Sequence, residues 1–191
     1  MYEYITIERS YASGGHQIAM ALSKKLNYRL YDHEVLVETC HRLDMPYNMI
    51  AGMDEHLPVK TPFSVPGDKY LPLEEQIFNT ETEIIQDAAK EPGCVFVGRC
   101  ASEILKDFKC LKVFITADSA FRTDRAVKVE KIDPGNAANI MRKYDTRRDK
   151  YFTAHAKAKW GTPEYFDIVL NSGNLGIDAC VDILFAACKT A

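Results

Sequence analysis

Ile5-Thr6-Ile7-Glu8-Arg9-Ser10-Tyr11-Ala12-Ser13-Gly14-Gly15-His16-Gln17-Ile18-Ala19 runs from a β-branched stretch, through a turn of small residues, straight into an amphipathic helix. Phosphate-binding loops have that layout, because successive backbone N–H groups and a helix N-terminus then converge on an anion. Ser13, Gly14, Gly15, His16 and Gln17 are the residues that would form such a cradle. The usual spacing of these loops places a lysine and then a serine or threonine after the second glycine. On that template the two places are Gly15 and His16, so the cradle lacks both its lysine charge and its magnesium-holding hydroxyl. The plain alternative is a strand-to-helix turn that needs two glycines for steric reasons. Its place at the first strand-to-helix junction, where parallel sheets bind phosphates, favours the phosphate reading.

Working outward, strands and helices alternate. Tyr2–Glu8 reads as a strand, Gly15–Leu26 as a helix with Ile18, Ala19, Leu22 and Leu26 on one face, and Arg29–Tyr31 as a second strand. Asp32 is placed to cap a helix carrying Val35, Leu36 and Leu43. Between Met45 and Pro72, five prolines and two glycines break any long regular element. That stretch reads as a substrate-covering segment or as an oligomer contact, which leaves a homodimer open. Leu73–Lys90 reads as a long helix, Cys94–Val97 as a buried strand, and Ala101–Phe108 as a short helix. Leu111–Thr116 is the next strand, followed by a helix capped by Ser119. A basic helix over Asn136–Trp160, a strand at Ile168–Asn171 and a closing helix over Gly176–Cys188 complete the chain. This series predicts an α/β fold: a three-layer α/β/α domain on a parallel sheet of about five strands.

Bulk properties exclude several classes. Apolar residues make up 47% of the 191 and charged residues 27%, with a net charge of -3, so no global field favours nucleic acid or an acidic membrane. The six cysteines form no C-x-x-C pair and have no zinc-type spacing with the histidines. No basic, apolar leader is apparent, and no apolar run approaches a membrane span of roughly 20 residues. A cytoplasmic protein with reduced thiols is the expectation.

Four groups of residues carry candidate chemistry. Arg9, at the end of the first strand, has a fork suited to phosphate and could replace the missing lysine, or could pair with a neighbouring acid. Arg99, after Val95-Phe96-Val97-Gly98, stands at a strand tip where open parallel sheets bind ligands; a structural ion pair is its alternative. Asp32, at the tip of the second strand, is either only a helix cap or a candidate to touch a sugar, a base or a metal-bound water. From Arg122 to Lys159 eleven basic residues face five acids, a net of +6 in a chain totalling -3. Such a run is either a solvated helix face or an arginine-bearing lid over phosphoryl oxygens.

In order and spacing, the chain resembles the cytidylate kinase-like branch of the P-loop nucleoside monophosphate kinases. The resemblance is carried by Ser10 to Ala19, by Tyr31-Asp32, by Val95 to Arg99 and by Val113-Phe114-Ile115-Thr116-Ala117. It continues in Arg147-Arg148-Asp149-Lys150-Tyr151-Phe152, Trp160-Gly161 and Asp167 to Ser172 with Leu175-Gly176-Ile177. It implies a single domain over 1–191 with an acceptor-binding insertion at 44–72 and a basic helical lid at 119–162. It also implies transfer of the γ-phosphoryl group of ATP, with Mg²⁺, to CMP or dCMP. Gly14, Gly15 and His16 then fall on the phosphate loop, Asp32 and Arg99 on the acceptor side, and Arg147, Arg148 and Lys150 on the lid. The departures are specific. Cytidylate kinases carry Gly-Lys-Ser/Thr where this chain has Gly14-Gly15-His16, and the kinase-like relatives favour Gly-Ser-Gly-Gly where it has Ala12. Cys100 replaces an aspartate, and Glu38 stands where an acceptor-holding arginine is expected. A second reading therefore stands beside the kinase: a catalytically inactive nucleotide- or anion-binding protein that keeps the fold.

Overall fold

The computed structural model describes residues 1–53 and 71–189. Its sheet has five parallel strands: β1 (Tyr4–Arg9), β2 (Arg29–Tyr31), β3 (Cys94–Val97), β4 (Cys110–Thr116) and β5 (Ile168–Asn171), in the order β2-β3-β1-β4-β5. β1 is central and covered on both faces, with every residue from Tyr4 to Glu8 buried, the polar Thr6 and Glu8 included. Ile5 and Ile7 face α1 (Gly15–Leu26) together with buried Leu184 and Val181 of the C-terminal segment. Tyr4, on the other face, packs with Phe96, Ile84, Ile85 and Leu105. The helices between strands are α2 (His33–Leu43), α3 (Tyr47–Met53), α4 (Leu73–Ala88) and α5 (Ala101–Ile104). They continue with α6 (Ser119–Lys128), α7 (Ala137–Ala156), α8 (Ser172–Leu175) and α9 (Ile177–Lys189). The expected three-layer α/β architecture is what forms.

Several boundaries differ from the sequence reading for local reasons. Asp118, not Ser119, caps α6, its carboxylate accepting the Phe121 N–H at 2.9 Å. α7 stops at Ala156 because Lys157 turns left-handed (φ 52°), four residues before Trp160. The final helix begins at Ile177, since Gly176 (φ 82°, ψ 160°) separates it from the turn of α8. Pro46 does not exclude helix after it. It opens α3, with its carbonyl accepting the Met49 N–H at 3.0 Å, as a proline at a helix start can. The remainder of the predicted proline-rich segment, 54–70, lies outside the described residues. The cysteines are all free, and five of the six are buried.

The carboxyl ends of β1, β3 and β4 and the N-terminus of α1 meet at one edge of the sheet. That is the edge at which open parallel sheets place their ligands.

Candidate functional site

The loop after β1 is shaped by a few backbone bonds. Ser10 N–H donates to Ile115 O at 2.9 Å, and Ser13 returns both its N–H (3.2 Å) and its hydroxyl (2.8 Å) to Ser10 O. Two residues turn left-handed: Ala12 at φ 58° and Gly14 at φ 83°. For alanine that conformation costs about 1–2 kcal/mol, and the methyl is held in place by packing with Ala126, Ala137 and Met141. Gly14 then caps α1, whose first N–H groups, on Gly15, His16 and Gln17, have no intrahelical acceptor. The helix dipole adds positive potential at the same point.

The place of the absent lysine is filled. A Cβ on Gly15 would lie 2.6 Å from Arg9 Cβ and 3.0 Å from Arg9 Cγ. The stem of Arg9 thus packs where the stem of a lysine at 15 would begin, and Arg9 lines the cavity above the loop. A Cβ on Gly14 would meet Ile177 Cδ1 at 2.5 Å and Arg125 Cζ at 3.6 Å, so the Arg125 guanidinium lies over that glycine. The cavity, of about 490 Å³, is lined by Arg9, Arg125 and Arg148 as well as His16, Gln17, Tyr11, Met20, Val129 and Glu130. Three arginines against one glutamate give this cavity a local excess of positive charge in an acidic chain. Arg125 donates from Nη1 to Gln17 Oε1 at 3.1 Å, while its buried Nε has no partner among the described residues. A buried donor left open in this way is a place for a ligand acceptor.

α6 and α7 also hold the loop itself. Arg122 Nε donates to Tyr11 O at 2.8 Å, and Asp145 accepts the Tyr11 N–H at 2.7 Å. Arg122 and Asp145 pair with each other. Of the predicted lid residues, Arg148 donates to Arg9 O at 3.2 Å and lines the cavity. Arg147 sits over the Tyr144 ring, which itself stacks on Tyr11. Lys150 is exposed and does not line that cavity. Arg122, Arg125 and Asp145 have individual roles that the sequence reading did not assign. The spacing of Arg122 and Arg125, three apart on one helix face, was the available signal.

On the side of β2 and β3 the charges are arranged differently. Asp32 occupies the cap position of α2 but makes no capping bond; its carboxylate pairs with His16 Nδ1. Arg99 is buried, and its Nη1 donates to Glu81 Oε1 at 2.5 Å. Tyr151 OH donates to the other oxygen of Glu81 at 3.4 Å. The geometry of Arg99 is thus that of the ion-pair alternative. Gly98, Arg99 and Cys100 are three consecutive residues with positive φ, a costly turn that this buried pair helps to fix. Burial raises the Cys100 thiol, and the nearby Glu8 and Glu103 raise it further, so it stays protonated. Glu38 and Arg42 pair on α2, and Arg42 also reaches Asp87 at 3.0 Å. Among the described residues no group of three or more His, Cys, Asp or Glu could hold a metal.

The model of the cytidylate kinase-like family matches residues 4–174. The chain belongs to the cytidylate kinase-like family. No curated protein matches it. Among solved structures, an uncharacterized protein from Eubacterium ventriosum is similar over 98% of this chain and 99% of that one, at 27% identity and TM-score 0.75. Shikimate kinase from Bacteroides thetaiotaomicron covers 98% of each chain at 12% identity and TM-score 0.60. Shikimate kinase from Acinetobacter baumannii, in complex with shikimate, covers 100% of this chain and 97% of its own at 13% identity and TM-score 0.58. At those identities the two shikimate kinases share the fold of this family member.

Proposed function

We propose that this chain is an ATP-dependent phosphotransferase acting on a small molecule, with its phosphate-loop lysine replaced by arginines from three other elements. The observation that carries this is the packing of Arg9 against Gly15: the stem fills the lysine's place, and the residue lines the cavity. Arg125 and Arg148 complete a cationic wall around a loop of backbone N–H groups. In phosphoryl transfer, positioning and charge neutralisation supply most of the catalysis, so cations need not come from the loop itself. Mg²⁺ is proposed to arrive on the nucleotide phosphates, because His16 stands where a metal-holding hydroxyl would be. Bound there, it would neutralise charge on the phosphoryl oxygens, while Arg9, Arg125 and Arg148 hold and orient them. Segment 119–162 is read as the lid, and 44–72 as the acceptor-binding element. CMP and dCMP are the acceptors that the family description suggests. The missing lysine and hydroxyl favour a second reading, in which nucleotide binds but no transfer follows.

Two measurements test this. Mg-ATP should raise the melting temperature of the wild-type protein, and the shift should be lost in Arg9→Ala. ADP release should exceed the buffer rate in wild type and fall by about 100- to 1000-fold in the variant. A shift in melting temperature without ADP release selects the binding protein. No shift at all refutes both readings.

A further inference from the structure

The two ends of the loop after β1 are tied to the sheet and to α8. Ser10 N–H donates to Ile115 O of β4 at 2.9 Å, and Ser13 O accepts the buried Ser172 hydroxyl at 2.5 Å. Tyr11 and Ala12 lie between these ties and are held differently. The Tyr11 N–H donates to Asp145 Oδ1 at 2.7 Å, and the Tyr11 carbonyl accepts from Arg122 Nε at 2.8 Å. Both partners are side chains of the basic helices α6 and α7, and they pair with each other. The Tyr11 ring also stacks on Tyr144 of α7, with centroids 4.8 Å apart.

Ala12 is the residue that needs this hold. Its φ of 58° is the left-handed conformation, which a Cβ disfavours and a glycine adopts freely. Released from its surroundings, it would return to negative φ with a bias of about 5- to 30-fold. Strain of this kind persists only where neighbouring groups over-determine it. The carbonyl that Arg122 holds belongs to the peptide joining Tyr11 to Ala12, so fixing it restricts rotation about the strained φ. Asp145 is otherwise out of place, because a carboxylate behind an anion-binding loop repels the anion. Its bond to the Tyr11 N–H and its pairing with Arg122 account for it as geometry.

We infer that Asp145 and Arg122 are positioning residues that hold Ala12 left-handed, and so keep the loop in its phosphate-binding shape before any ligand arrives. The inference rests on the phosphotransferase reading and names the side chains that set the affinity of its donor site. An apparent Kd is the intrinsic Kd divided by the fraction of molecules in the competent shape. The pair keeps that fraction near one, and without it the strain at Ala12 lowers the fraction. Ala126 of α6 and Ala137 of α7 are fully buried against Ala12 and Met141, so the helices stay docked when the pair is cut. Arg125 and Arg148 then remain at the cavity, and the loss falls on the loop itself.

The test measures the Kd of the full-length protein for Mg-ATP by titration calorimetry. Asp145→Ala should weaken binding by about 5- to 30-fold, whereas removal of a carboxylate acting by charge alone would tighten it. Adding Ala12→Gly should recover most of the loss, because glycine takes the left-handed conformation without help. Asp145→Asn, which keeps an oxygen for the Tyr11 N–H, should lose less than Asp145→Ala. Arg122→Gln, with and without Ala12→Gly, runs in parallel and decides the matter if Asp145→Ala does not fold. Unchanged or tighter binding in Asp145→Ala overturns the inference. So does a loss that Ala12→Gly leaves in place, which would point to displaced arginines, and so does an equal gain from Ala12→Gly in wild type and in Asp145→Ala. The wild-type Kd reads the parent proposal separately: if wild type binds Mg-ATP while the variants break these expectations, only the positioning roles are lost. Absence of binding by wild type overturns both.

Discussion

Substituting Gly15 by alanine tests whether Arg9 truly fills the lysine's place. The added Cβ would stand 2.6 Å from Arg9 Cβ, about 1 Å inside an ordinary carbon–carbon contact. Neither atom is the end of a flexible side chain, so the strand end and the first turn of α1 must move apart. Overpacking of that kind costs about 1–3 kcal/mol. Alanine in place of glycine in a helix returns up to about 1 kcal/mol, and less at its first residue. The net expectation is a loss of about 1–2 kcal/mol, or about 2–8 °C in a domain of this size. Arg9→Ala would not relieve the clash, because alanine keeps the Cβ; Arg9→Gly would. In a double-mutant cycle, Gly15→Ala with Arg9→Gly should therefore be more stable than the sum of the singles by about 1–2 kcal/mol. Urea unfolding followed by the fluorescence of the single tryptophan, Trp160, measures all four proteins. Additivity within about 0.5 kcal/mol would mean that Arg9 does not fill that space, and the relocated-charge account would lose its main support.

Two further outcomes follow from the packing beneath the site. Arg99→Met should cost about 3–5 kcal/mol because it leaves the fully buried Glu81 without its guanidinium. Adding Glu81→Leu should recover most of that in the same unfolding assay, and a double variant as unstable as the single would refute the ion-pair account. His155 stacks on Phe78 with ring centroids 3.7 Å apart, and burial lowers it from its usual 6.5. In the range below 6.5 the unfolded chain binds more protons than the native one, so stability falls as pH drops through that range and is regained above it. His155→Phe should unfold at more nearly equal urea concentrations at pH 5 and 7.5 than wild type does, and an unchanged difference would refute the assignment.

What could be read in the sequence was local. Cys94–Val97 and Ile168–Asn171 showed as strands with their observed bounds, because short apolar runs between turns have few other readings. Asn27 ends α1 in the left-handed conformation expected of an asparagine there. The choice between Ser119 and Asp118 as cap depended on a one-residue boundary that propensity does not resolve. Site geometry was less legible because its contacts join distant segments. Arg9 could be named from the sequence as a substitute for the lysine missing at Gly15, but only the turn between them brings its stem onto the glycine. Glu81 was a further overlooked clue: it lies in the buried stripe of α4 with Ile77, Ile84 and Ile85, where a carboxylate requires a partner. That partner is Arg99.

Moving the charge from the loop to other elements changes what controls it. A lysine on the first turn of α1 would accompany the cradle in every conformation. Here Arg125 and Arg148 come from α6 and α7, and they reach the cavity only while those helices sit against the loop. That docking is carried by Tyr11, whose N–H is held by Asp145 and whose carbonyl is held by Arg122. Asp145 and Arg122 also pair with each other, so one cluster joins the loop, α6 and α7. Arg9 alone of the three is rooted in the sheet, and its carbonyl accepts from Arg148. On the proposed reading, phosphate affinity would be coupled to the packing of the basic helices, where a lysine-bearing loop would hold its charge independently of them.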